Sequence, residues 1–162
     1  MERTSTQYSV KHFLRVPMLL QLDGRAEEAW AEYQELLSSG YPGQMRSKDM
    51  ILMDSYQIYD KMRLHLQREG RAKEAVVYHV LSIVCWSRAL RLQNRSNEHE
   101  HTLTREYAAV QVEKVWRRTK LSTGAEGLAS MLHDLLNGLE GMQLQSVEHQ
   151  IREYLDGCGT GR

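Results

Sequence analysis

The side chains best able to do chemistry are His99, Glu100 and His101, which are consecutive potential metal ligands, the thiols Cys85 and Cys158, and the isolated histidines His79 and His133. Zinc needs three or four converging ligands. Two histidines two residues apart diverge on a helix, so His99 and His101 converge only if their stretch is a loop. No further ligand stands at metal-site spacing, so the stretch reads as a polar connector and no metal is expected. Cys85 lies in an apolar stretch where burial suppresses the thiolate, and two cysteines so placed form neither a disulfide framework nor a paired metal motif. His79 and His133 sit on otherwise apolar helical faces and read as hydrogen-bonded core or boundary histidines. No P-loop, dinucleotide fingerprint, HExxH motif or nucleophile elbow is present, so neither an enzyme nor a cofactor is expected.

The second chemistry on offer is electrostatic. Lysine plus arginine (21) balances aspartate plus glutamate (21), which argues against a global nucleic-acid or membrane-surface binder. Locally the balance fails: residues 86–120 carry 8 basic against 4 acidic groups, and residues 121–162 carry 2 against 6. The basic segment holds Arg88, Arg91, Arg95, Arg105, Lys114, Arg117, Arg118 and Lys120, with Trp86 and Trp116 interleaved. It could contact phosphates, or pair with the acidic C-terminal helices.

The elements that must carry these residues are helical. The chain has 162 residues, two of them proline, and its apolar residues recur every three or four positions without sustained alternation, so an all-α fold of about six or seven helices is expected. The expected helices run from about 5 to 22 with a kink or split at Pro17, 25 to 37, 47 to 68, 71 to 92, 103 to 118, from 123 to about 139, and a short last one near 147–155. The stretches 40–44 and 94–97 read as connectors, 1–156 as a single domain and 157–162 as a mobile tail. The stretch 75–92 is broken by His79, Ser82, Ser87, Arg88 and Arg91, so it reads as a core helix and no membrane is expected. Glu2, Arg15 and Pro17 spoil a secretory signal at the N-terminus, which makes a cytoplasmic location the expectation.

An internal repeat organises the first half. Gly24-Arg-Ala-Glu-Glu-Ala29 and Gly70-Arg-Ala-Lys-Glu-Ala75 differ at one position and lie 46 residues apart. Each follows one apolar helix and opens another. Glycine permits the tight turn, and the small alanine lets two backbones approach. The unit resembles the tetratricopeptide repeat, with Tyr33 in the aromatic place after the alanine in the first copy, His79 beside Tyr78 in the second, Phe13 and Tyr59 early in the first helices, and Leu20 and Leu66 near their ends. It departs from that family in its long period, against about 34 residues, and in Pro17 and Arg63 where a small residue is usual. Pro42 is displaced from the usual terminal proline. A third, poorer copy turns at Gly124 with Ala129.

The resemblance implies antiparallel helix pairs stacked as a short right-handed array, with a groove along the first helices that takes a peptide or partner helix. The family's groove positions fall on Lys11, Leu14, Met18 and Gln21, then on Gln57, Asp60, Leu64 and Gln67. The poorer copy adds Gln111, Lys114 and Arg118. The expected function is therefore a non-enzymatic protein-interaction module, an adaptor, regulator or inhibitor, that binds another protein or a second copy of itself. The alternative is a nucleic-acid-associated regulator using Arg88, Arg91, Arg95, Lys114, Arg117, Arg118 and Lys120. Tyr41, Tyr56, Tyr59, Met18, Met50 and Met53 would form an adaptable surface if exposed together.

Overall fold

The structure, a computed structural model, describes residues 10–39, 47–138 and 142–158. Among these it contains eight helices and no strand: α1 (Val10–Leu22), α2 (Ala26–Ser39), α3 (Lys48–Arg68), α4 (Ala72–Leu92), α5 (Ser96–Thr102), α6 (Arg105–Trp116), α7 (Ala125–Gly138) and α8 (Leu144–Asp156). The connector at 40–44, with Tyr41 and Pro42, lies outside the described residues, as does the chain beyond Cys158. The contacts divide the chain into two compact units, residues 1–47 and 48–162.

In the first unit α1 and α2 form a helix pair. Helix α1 runs through Pro17 as one element, with the ring buried, where the sequence suggests a kink or split. Ala29 and Tyr33 on α2 are almost fully buried.

The second unit is built around α3 and α4, each of 21 residues. Contacts step down this antiparallel pair from its far end towards the turn at Gly70. Gln93 donates to Asp49 at 3.2 Å, the rings of Tyr56 and Trp86 lie 5.1 Å apart, and those of Tyr59 and Tyr78 lie 6.1 Å apart. Helix α4 is apolar round most of its circumference, and its valines and Ile83 are modest helix formers. Burial, rather than propensity, holds it helical. By length and composition it is the one described helix able to cross a membrane, but 78% of its apolar window is buried within the protein. Val76, Val80, Leu81 and Val84 meet Val112 and Val115 of α6, Leu128, Leu132 and Leu136 of α7, and Val147, Ile151 and Leu155 of α8 in one core. Helices α7 and α8 each supply that core from positions i, i+4 and i+8, a single stripe.

The repeated turn has one physical form in three places. Gly24 N–H donates to the carbonyl of Gln21 and Arg25 N–H to that of Leu20; Gly70 and Arg71 do the same to Gln67 and Leu66, and Asn94 and Arg95 to Arg91 and Leu90. This is the Schellman ending, in which a left-handed residue lets two amides satisfy the last helical carbonyls. The left-handed residues are Gly24 (φ 79°), Gly70 (φ 76°) and Asn94 (φ 57°). Each following arginine then pairs with the glutamate three residues on, as Arg25–Glu28, Arg71–Glu74 and Arg95–Glu98. The third of these turns corrects the sequence reading: 94–97 is not simply a connector, because Ser96 opens a short helix that carries His99 and His101. The Ser87 and Thr102 hydroxyls, 2.7 Å apart, tie α5 to α4.

Candidate functional site

Helices α3, α4 and α6 enclose a pocket of about 350 Å³. Each helix lends it one face: Tyr56, Asp60 and Arg63 from α3, His79, Ile83 and Trp86 from α4, and Tyr107, Gln111 and Lys114 from α6, with Ser82 and Val115 completing the lining. The spacing i, i+4, i+7 recurs on all three, as it must when one helical face lines a cavity. His79, Ser82, Ile83, Gln111 and Val115 are buried and form the floor; Tyr56, Trp86 and Tyr107 are half-buried walls, and Lys114 is exposed at the rim.

The charges are arranged unevenly. Arg63 donates from Nε and Nη2 to Asp60 Oδ1 at 3.0 and 2.8 Å, and from Nη1 to Gln67 Oε1 at 3.0 Å. Its guanidinium is thereby occupied and Asp60 is neutralised. Lys114 has no carboxylate partner among the described residues. His79 is 7% exposed and contacts the Gln111 carbonyl through Nε2 at 2.9 Å. Burial first, and the nearby Arg63 second, lower its pKa to about 4, so it is neutral near pH 7. The Tyr107 hydroxyl is pushed up to about 12, mainly by burial, and burial also raises that of Tyr56. Both remain protonated donors. Ser82 Oγ donates to the main-chain carbonyl of His79 at 2.7 Å rather than to its ring, so the two do not form a nucleophile–base pair.

No protein family, curated protein or solved structure matches this chain.

Of the groove positions taken from the tetratricopeptide resemblance, Asp60, Gln111 and Lys114 come together in this pocket. Gln67 borders it through Arg63, while Gln57 and Leu64 are half-buried elsewhere on α3 and Arg118 is exposed beyond the end of α6. Lys11, Leu14, Met18 and Gln21 belong to the first unit. Leu14 is 2% exposed, which corrects its assignment as a ligand-facing residue: it is a core side chain.

The basic segment is dispersed. Arg88 is half-buried and donates to the Met142 carbonyl, Arg95 pairs with Glu98 and lies 5.5 Å from the centre of the Trp86 ring, and Arg117 pairs with Glu113. Arg91 lines a second, larger cavity of about 740 Å³ beside Leu52, Leu92, Leu103 and Leu136. Arg118 and Lys120 are exposed. The aromatic and methionine residues singled out in the sequence are mostly half-buried, with Met50 exposed. His99 and His101 lie on α5, where two residues apart means divergent directions. No group of three metal-ligating side chains converges among the described residues.

Sequence reasoning missed Tyr56, Arg63, Trp86 and Tyr107 as a set. Helices α3 and α6 carried the local signal, a polar or aromatic i, i+4, i+7 line beside an apolar stripe, while on α4 only His79 and Trp86 of that line interrupt a mostly apolar surface. Only packing brings the three lines face to face.

Proposed function

We propose that this protein is a non-enzymatic interaction module, acting in the cytoplasm, that binds a segment of another protein, with the pocket between α3, α4 and α6 as its anchor. The observation that carries this reading is the convergence of Asp60 with Gln111 and Lys114. These are groove positions of two successive helix pairs in the tetratricopeptide resemblance, and they meet across α4 in one cavity. The Schellman turns at Gly24 and Gly70 and the buried Ala29 and Ala75 support the same kinship for the first two copies, whereas Gly124 of the poorer copy lies eight residues beyond α6 and makes no such turn. A cavity of this size, with Ile83 and Val115 set among polar groups at its floor and aromatic walls around it, suits a side chain of a bound peptide.

Peptide display against the full chain tests this, with binding mapped by amide chemical shifts. Selected peptides are expected to perturb α3, α4 and α6 around Tyr56, Trp86 and Tyr107, and to bind more weakly to Tyr107→Ala. Selection of no peptide, or shifts confined to another surface, would overturn the proposal.

The alternative reading keeps Lys114, Arg118 and Lys120 as a phosphate-contacting end of α6, all three being exposed. It predicts oligonucleotide binding that falls steeply with salt and is lost in an Arg118→Ala/Lys120→Ala variant.

A further inference from the structure

The donors and acceptors of the pocket do not balance. Asp60 is taken up by Arg63, and the guanidinium of Arg63 is shared between Asp60 and Gln67. What remains is donor-rich: the ammonium of Lys114 and the Tyr56 and Tyr107 hydroxyls, none with an acceptor among the described residues, and the indole N–H of Trp86, against one buried acceptor without a partner, Nδ1 of His79 at the floor. Gln111 adds an amide on a side chain that is 8% exposed and lines the cavity. Several donors open to solvent around one uncompensated cation suit a ligand that only accepts, and an ionised carboxylate accepts through two oxygens without offering a proton.

On this basis, and resting on the proposed peptide-binding role, we infer that the pocket takes an acidic side chain of the partner, its carboxylate held by Lys114 with the Tyr56 and Tyr107 hydroxyls and its methylenes lying on Ile83 and Val115. A carboxylate is favoured over a phosphate group because the pocket has one uncompensated cation. Phosphate recognition draws on an arginine fork or several cations, and the fork here is occupied. It is favoured over a nucleic-acid strand because the neighbouring Arg95 and Arg117 are already paired with Glu98 and Glu113, so Lys114 is the one uncompensated cation lining the pocket and few counterions would be displaced there.

The test uses the full chain and doubly capped probes, so that no terminal carboxylate takes part: N-acetyl-L-glutamate α-amide, its glutamine counterpart, inorganic phosphate and a single-stranded oligonucleotide. Binding is followed by amide and indole chemical shifts. The expected result is that the glutamate probe saturably shifts Trp86, Tyr107 and Lys114, that the glutamine probe does so at least roughly tenfold more weakly, and that Lys114→Met loses a similar factor. Lys114 is exposed, so this variant is expected to fold. Tyr56→Phe/Tyr107→Phe, which keeps the rings, is expected to weaken binding while leaving circular dichroism unchanged.

Equal shifts with the glutamine probe, or undiminished binding in Lys114→Met, would overturn the inference, as would tighter binding of phosphate or of the oligonucleotide at these residues. The two proposals fail separately. Selected peptides that occupy the pocket without an acidic residue would sink the carboxylate and keep the interaction module, whereas glutamate binding with no peptide ever selected would do the reverse.

Discussion

The imidazole Nε2 of His79 lies 2.9 Å from the main-chain carbonyl oxygen of Gln111, joining α4 to α6 at the floor of the pocket. A carbonyl can only accept, so Nε2 carries the proton and Nδ1 the lone pair. That Nδ1 is buried without a hydrogen-bond partner. The neutral ring is thus the form that fits. A second proton would place a charge in the core facing Arg63 and Lys114, with only Asp60 opposing them.

This arrangement makes stability depend on pH with a definite sign. The folded pKa, about 4, lies below the ordinary value of 6.5. The unfolded chain therefore binds more protons between those values, and stability is complete above about pH 6.5 and lost as pH falls towards 4. The contribution of His79 should shrink by about 2 kcal/mol between pH 7 and pH 5. Urea midpoints at the two pH values are expected to fall in the native protein and to fall clearly less in His79→Gln. His65, whose pKa burial also lowers, keeps part of the slope in the variant. An unchanged slope would exclude His79 as its source.

Gly127 and Tyr154 form a second close relationship, between α7 and α8. The Tyr154 hydroxyl donates to the Gly124 carbonyl at 2.6 Å, and a Cβ on Gly127 would stand 2.1 Å from that hydroxyl. Gly127→Ala gains helix propensity of about 1 kcal/mol. It also expels a ring packed on the core and breaks its hydrogen bond. The loss should win, with a net destabilisation of about 1 kcal/mol in urea titration. Adding Tyr154→Phe should make the alanine less costly, since the clashing oxygen is gone.

The turn residues give opposite predictions for similar backbones. Gly70 has open space where a Cβ would stand, yet its φ of +76° penalises any L side chain, so Gly70→Ala should destabilise by about 1 kcal/mol. Asn94 already bears that strain at φ 57°. Asn94→Gly should be neutral or stabilising by up to about 1 kcal/mol, and Asn94→Ala destabilising. Thermal melts of the three variants check the order.

The two thiols should differ sharply. Cys85 is buried, and burial pushes its thiol up to about 12; Cys158, at the end of α8, is partly exposed and donates to the Tyr154 carbonyl at 3.4 Å. In native buffer a thiol-specific disulfide reagent should modify Cys158 alone, with Cys85 reacting only after denaturation. Prompt release of two equivalents from native protein would contradict the burial of Cys85.

What the sequence determined by itself was local. Apolar residues spaced at i, i+3 and i+4 marked α3, α4, α6, α7 and α8, because a helical stripe is written within a few turns of one segment. Gly24 and Gly70 marked their turns, because the Schellman bonds span only six residues. Helix α5 escaped notice for the complementary reason: its Asn-Arg-Ser-Asn-Glu-His run has no apolar stripe, and asparagine stands where glycine would have announced the turn. Packing decided the rest. Burial made Leu14 a core residue, and it made His79 a neutral link to Gln111. The pocket itself depends on side chains as far apart as Tyr56 and Lys114 facing one cavity. No local rule relates residues at that separation, since their meeting is set by how α3 and α6 pack against α4.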